Sequence, residues 1–209
     1  MTSLQTHDQV GNRAAGDRLS ATLDTGTLAC GAALLLTAPT TPMLFMGEEW
    51  GASTPWQYFT DHPDPALAEA VRQGRRQEFA DHGWDSAEVP DPQHPQTVAA
   101  SRLDWSEPAR PGHARLLAWY RDLIRLRHST PDLRDHRLDR VRVEHDETSG
   151  SVVVHRGKHR VVVNLGGSPA EVGLRTAGLE LLLAWDPATA VTGAVLALPA
   201  RSAALLGPG

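Results

Sequence analysis

The chain has 209 residues and a formal net charge of −5, with 20 lysines and arginines spread among 25 aspartates and glutamates, so it has no basic stripe for nucleic acid or an anionic membrane. Its length suits one large or two small domains with a real core. The longest dense apolar run, Leu28 to Leu36, contains Gly31 and is about half of the ~20 residues that span a bilayer, and no basic-then-apolar leader opens the chain, so a cytoplasmic location is expected.

Taken in order, the first feature is Thr6-His7-Asp8-Gln9-Val10-Gly11-Asn12-Arg13. It gathers an imidazole, a carboxylate, two amides and a guanidinium, with Gly11 expected to let the backbone turn tightly. Leu4 and Val10 are the only sizeable apolar residues nearby, so the stretch reads as the end of a short strand presenting polar groups on a loop. On local pattern alone Asp8 is either a turn-capping acid or a functional one. Ser20 to about Leu36 reads as a helix capped by Ser20 or Asp24 and ended by Pro39 and Pro42. Cys30, the single cysteine, excludes an intrachain disulfide, suits a reducing compartment and reads as an inert core residue. Met43 to Met46 predicts a strand buried on both faces. Loop, helix, strand and loop make one turn of a β/α repeat, which would set the Asp8 loop and the Glu48-Glu49 loop on one cleft.

Trp50 to Asp64 is aromatic and turn-rich; Trp50 suits sugar stacking and loop anchoring equally, whereas Trp56, Tyr58 and Phe59 suit anchoring. Glu48 and Glu49 are candidates either for substrate contact or for capping the next turn, and Asp61-His62 reads as loop structure. Asp64-Pro65 starts a helix running to Gly83, with Leu67, Val71 and Phe79 on one face. Arg72, Arg75 and Arg76 on it read as a solvated face interleaved with Glu69 and Glu78. The prolines at 90, 92, 95, 108 and 111 predict a long surface loop from Asp85 to Pro111. Asp91, His94 and Asp104 within it lack metal-ligand spacing, so neither a metal nor a cofactor is expected. Gly112 to Ser129 is a helix with Leu116, Trp119, Tyr120, Leu123 and Leu126 on one side. Beyond Pro131 short alternating runs at Val141–Val143, Val152–Val154, Val161–Val163, Val172–Leu174, Leu179–Trp185, Val195–Leu198 and Ala203–Leu206 predict a small antiparallel β-sandwich, expected from about Arg134 onward to fold by itself.

Thr6 to Arg13, followed by Ala15-Gly16-Asp17-Arg18-Leu19, resembles the fourth signature region of the α-amylase superfamily of glycoside hydrolases, in the form carried by malto-oligosyltrehalose trehalohydrolases. The run from Leu44 through Gly47-Glu48-Glu49-Trp50 to Asp61-His62 resembles the eighth-strand loop of the same enzymes. The two strings, in this order and at this separation, are specific, and the resemblance continues to the C-terminus. It implies an α/β plus all-β fold: residues 1–133 as the C-terminal portion of a catalytic (β/α)8 barrel and 134–209 as a C-terminal antiparallel β-sandwich domain. It also implies that Asp8 is the catalytic carboxylate that stabilises the transition state. His7, Gln9, Asn12, Arg13, Glu49 and Trp50 would bind substrate, a malto-oligosaccharide or malto-oligosyltrehalose, and Arg13 or Arg18 would keep Asp8 ionised. The nucleophile and general acid of such enzymes lie on barrel strands with no counterpart here, so the implied chain is a fragment, inactive alone and partnered by a separately encoded N-terminal barrel portion. The alternatives are a fragment of another superfamily member such as an α-glucosidase, or a non-catalytic glucan-binding or scaffold module. Trp185, the only aromatic residue of the β-rich region, argues against that module.

Overall fold

The computed structural model describes residues 1–81, 83 and 89–209. In chain order these form helices α1 (His7–Gly11), α2 (Thr25–Thr37), α3 (Pro65–Asp81), α4 (Pro95–Ala100), α5 (Pro111–Ser129) and α6 (Pro131–Arg134). Strands β1 (Val141–Asp146), β2 (Ser151–Arg156), β3 (His159–Asn164), β4 (Ala170–Gly173), β5 (Leu179–Ala184), β6 (Ala190–Thr192), β7 (Val195–Leu198) and β8 (Ser202–Pro208) follow. They fall into two compact units, each built from separated stretches: Met1–Leu4, Leu23–Met43 and Ala114–Gly209 in the first, Gln5–Thr22 and Leu44–His113 in the second.

In the first unit, Asp24 rather than Ser20 starts α2. Its carboxylate accepts from the Thr27 amide at 2.9 Å and the Thr27 hydroxyl at 3.0 Å, filling orphan donors of the first turn. At the other end the buried Arg127 guanidinium takes the carbonyls of Leu36 (2.7 Å), Ala38 (2.8 Å) and Thr40 (3.0 Å). The buried stripe of α5, Leu116, Trp119, Tyr120 and Leu123, meets Ala29, Cys30 and Leu36 of α2, and the Trp119 indole donates to the Ala29 carbonyl at 3.0 Å. Both helices close over a five-stranded antiparallel sheet of order β1-β2-β3-β8-β5, burying Val161, Val163, Ala203, Leu205 and the neighbouring Trp185. Val162, Ala204 and Leu206 point the other way, into a core shared with Ala170, Val172, Leu196 and Leu198 of a three-stranded sheet of order β4-β7-β6. The centre of β3 is therefore apolar on both faces, which is why Val161 to Val163 is an unbroken valine run. β1 is an edge strand, and its Val143 is 56% exposed. Cys30 is sealed in the first core, its Sγ donating to the Ser202 carbonyl at 3.2 Å, and burial pushes the thiol up to about 12.

Residues 43–46 do not form the expected strand. A single parallel bridge joins Thr2 to Pro42, and Leu44 and Met46 are 36% and 41% exposed. A doubly buried parallel strand needs a ladder on each side, and among the described residues no strand runs beside 43–46.

In the second unit, Asp64 caps α3 through the Ala66 amide at 2.8 Å, with Pro65 at the first helical position, and the helix ends before Gly83 at φ +82°. Leu67 on it is exposed, whereas Phe79 is buried. The long loop expected from 85 to 111 lies partly outside the described residues, and from Val89 onward it is not irregular throughout. Pro95 opens α4, where the His94 ring nitrogen accepts from the Gln96 amide at 3.1 Å, Pro108 sits in a 3₁₀ turn, and Pro111 opens α5. Proline suits the first turn of a helix because that turn's N–H has no intrahelical acceptor. No described helix is long and apolar enough to cross a membrane.

Candidate functional site

The polar motif is a single helical turn, not a loop at a strand end. Thr6, in extended conformation, caps α1 by accepting from the Gln9 amide at 3.3 Å, while its carbonyl takes the Val10 amide at 3.0 Å. Asp8 lies in that first turn, where the helix dipole favours an anion. Val10 and Gly11 turn inward, leaving His7, Asp8, Gln9, Asn12 and Arg13 exposed. The His7 Nε2 is 3.1 Å from Asp8 Oδ1, with side chains 69% and 77% accessible. The expected guanidinium partners of Asp8 are both engaged elsewhere. Arg13 Nε donates to Asp17 at 2.6 Å, and the buried Arg18 donates to the carbonyls of Thr54 (2.7 Å) and Met46 (2.8 Å) with Phe45 beneath it at 5.0 Å. Burial pulls the Arg18 pKa down against the opposing influence of Glu107, Glu49 and Glu48.

The tight turn expected at Gly11 lies elsewhere. A side chain at Gly11 would meet only Trp56, at 3.6 Å, whereas Gly16 has φ +69° and an added Cβ would lie 2.5 Å from the Trp56 carbonyl oxygen. Gly16 admits the 50s loop against the motif, its carbonyl accepting from the Trp56 amide at 2.7 Å.

In that loop, Gly47 and Gly51, at φ +87° and +67°, bracket a 3₁₀ turn over Glu48–Trp50. Glu48 is 5% exposed and accepts from the Phe45 amide at 3.1 Å. Glu49 turns its Oε2 inward without a hydrogen-bond partner. Trp50 is 3% exposed and donates its indole N–H to Glu107 at 3.2 Å, so its ring is an anchor and offers no face to a sugar. Glu107, fully buried, also accepts from the Ser53 amide at 3.3 Å and from the Ser53 hydroxyl. Burial raises its pKa, and the Ser53 and Trp50 donors with His113 outweigh that, leaving it below the ordinary glutamate value. His113 meets the Trp50 carbonyl at 2.8 Å.

Two residues that pattern reading passes over matter here. Trp105 is 73% exposed, its ring 5.3 Å from that of Trp50, and it lines a cavity of about 460 Å³ with Met46, Trp56, Phe59, Val98 and Leu103. A tryptophan among Asp104, Ser106 and Glu107 is the signal that could have marked it. Arg75, expected on a solvated face, has a side chain only 10% accessible and reaches the motif, donating to Asn12 Oδ1 at 3.1 Å and to the Gly11 carbonyl. Asp91 pairs with Arg72 at 2.8 Å and Asp104 with Arg110 at 3.0 Å; among the described residues no three acids, histidines or cysteines are grouped to hold a metal ion.

Residues 136–205 match a family described as a domain of unknown function, DUF3459. The malto-oligosyltrehalose trehalohydrolase of Rhizobium sp. (strain M-11) is 51% identical over 202 residues, which cover 97% of this chain and 34% of that protein. The chain is similar to the C-terminal part of malto-oligosyltrehalose trehalohydrolases. The trehalohydrolase of Arthrobacter ramosus is 57% identical over 168 residues, 80% of this chain and 28% of its own length. A solved structure of a candidate alpha amylase from Salmonella typhimurium superposes with a TM-score of 0.81 at 34% identity, covering 98% of this chain and 34% of that one. The trehalohydrolase relatives are glycoside hydrolases of the α-amylase family, and the chain spans about a third of the length of the first of them.

Proposed function

We propose that this chain supplies the Asp8 carboxylate to a glycoside hydrolase that cleaves the α-1,4 bond joining trehalose to a malto-oligosyl chain. The observation that carries the reading is the exposed His7–Asp8 pair, 3.1 Å apart on a capped turn, in a chain 51% identical over 202 residues to a trehalohydrolase. Residues 1–133 are read as the closing part of a (β/α)8 barrel, with the parallel Thr2–Pro42 bridge in support, and 134–209 as a small β-sandwich, with the two antiparallel sheets in support.

Retaining glycosidases need a nucleophile and a general acid/base about 5–5.5 Å apart, acting on an oxocarbenium-like transition state. Neither is assigned to this chain; both come from the two thirds of the relatives that it does not match. Asp8 then acts as a fixed negative charge beside the developing positive charge. His7 hydrogen-bonds the sugar at the scissile bond, while Gln9, Asn12, Arg13 and Glu49 contact substrate. Trp50 holds the loop from behind.

Alone, the chain is expected to release no trehalose from malto-oligosyltrehalose. Joined behind the unmatched N-terminal part of the Rhizobium sp. relative, it is expected to restore hydrolysis. In that fusion Asp8→Asn lowers kcat on the order of a hundredfold or more, about 3 kcal/mol, with KM within about twofold, as for an interaction made chiefly in the transition state. Retention of nearly full kcat by the asparagine variant would make Asp8 a turn residue and remove this reading.

A further inference from the structure

We infer that Arg75 is the positioning residue of the Asp8 turn, clamping its C-terminal end from helix α3. The inference rests on the functional reading of Asp8 given above.

A five-residue helix is a poor structure by itself, because one turn fixes several dihedrals for very few internal hydrogen bonds. Its direction, and so the aim of Asp8, depends on what holds its ends. Thr6 holds the first. At the second, one guanidinium takes two acceptors, the carbonyl of Gly11 and the side-chain oxygen of Asn12, the latter at 3.1 Å. Such a fork fixes both position and rotation, which a single ammonium contact does not. A cation there also sits at the favourable end of the turn's dipole.

Arg75 is itself held firmly. It projects from the seventeen-residue α3, with the Tyr58 ring centroid 4.4 Å and the Phe79 centroid 4.8 Å from its guanidinium carbon, and Glu78 at 3.9 Å. The rigidity of a long capped helix is thereby passed to a turn too short to be rigid. The clamp also orients Asn12: a guanidinium only donates, so the atom facing it is the amide oxygen, and the Asn12 NH₂ is the group left for substrate.

Two experiments test this. In the full chain, amide hydrogen exchange should accelerate at Val10, Asn12 and Arg13 in Arg75→Met, while amides of α2 and β3 keep their protection. Unchanged exchange at those three amides would overturn the proposal. In the fusion with the Rhizobium sp. N-terminal part, Arg75→Met should lower kcat roughly tenfold to a hundredfold with KM within about twofold, the scale of a misplaced catalytic group, and Arg75→Lys should fall between it and the parent. Because Arg75 acts through Asp8, Arg75→Met should change kcat less than about twofold when Asp8→Asn is already present. An equal loss on both backgrounds would make Arg75 a general stabiliser and overturn the proposal. If Asp8→Asn alone leaves kcat whole, the functional reading fails, and the exchange experiment still decides whether Arg75 clamps the turn.

Discussion

Ser53 and Trp50 converge on Glu107, a carboxylate with no exposed surface, and together they hold the 50s loop closed. Removing the acceptor strands three donors in the interior, so Glu107→Ala is expected to cost about 1–3 kcal/mol, read as a lower midpoint in thermal or urea unfolding. The pH dependence has a definite sign. The net effect on Glu107 is a folded pKa below its unfolded value, so its stabilisation is complete above about pH 4.3 and is lost as pH falls through the folded value. The stability gap between the parent and Glu107→Gln should therefore be constant near neutrality and narrow below about pH 4.3; a gap that widens on acidification would contradict the assigned shift. Some of these residues were legible in advance and some were not. His7, Asp8 and Gln9 announce themselves by spacing and by resemblance. Glu107, in a Ser-Glu-Pro string, carries no local mark, because its importance comes from Trp50 and Ser53, which lie more than fifty positions earlier. Arg75 was misread for a related reason. Alternating arginine and glutamate on a helix is the pattern of a wet surface, and only the placement of α3 beside the Asp8 turn distinguishes Arg75 from Arg76.

Helix α2 was readable at its C-terminal end, where prolines follow an alanine- and leucine-rich run, whereas its start was left open between Ser20 and Asp24 and lies at Asp24. Asp24→Ala should lower stability by about 1 kcal/mol and Asp24→Asn by much less, seen as shifts of the urea midpoint at unchanged slope. The exposed Arg201–Asp24 pair adds little to that figure. Strands β2, β3 and β8 were equally plain from their β-branched and apolar runs. β6 was missed, because Ala190–Thr192 is three residues long and too short to show a period. The prolines between 90 and 111 misled for the opposite reason. Proline removes a donor that a first helical turn does not use, so the same residues that forbid a long helix begin α4 and α5. The run at Met43–Met46 has the composition of a buried strand, yet composition reports only what could be buried, and pairing partners decide whether it is.

At the scale of the whole chain, the first unit joins helices from two separated stretches to the sheet region. This changes what can be expected of residues 134–209 alone. Without α2 and α5, the sheet face carrying Val161, Val163, Ala203, Leu205 and Trp185 has no cover. That piece should bind an apolar dye and associate, with no cooperative melt, whereas the full chain should keep that face closed; a monomeric, cooperatively melting fragment would show the helices to be dispensable. The order of the five-stranded sheet carries a consequence for biosynthesis. β8, the last strand in sequence, lies between β3 and β5, and the Cys30 thiol of α2 reaches the carbonyl of Ser202, 172 positions later. At translation rates of roughly 5–20 residues per second, α2 emerges from the ribosome on the order of ten to thirty seconds before its counterpart exists. During that interval the part of the α2 face that β8 covers lacks its partner, and β3 and β5 each keep an unpaired edge. A chain that stops short of Ser202 lacks the strand that joins β3 to β5 and so leaves this sheet in two pieces.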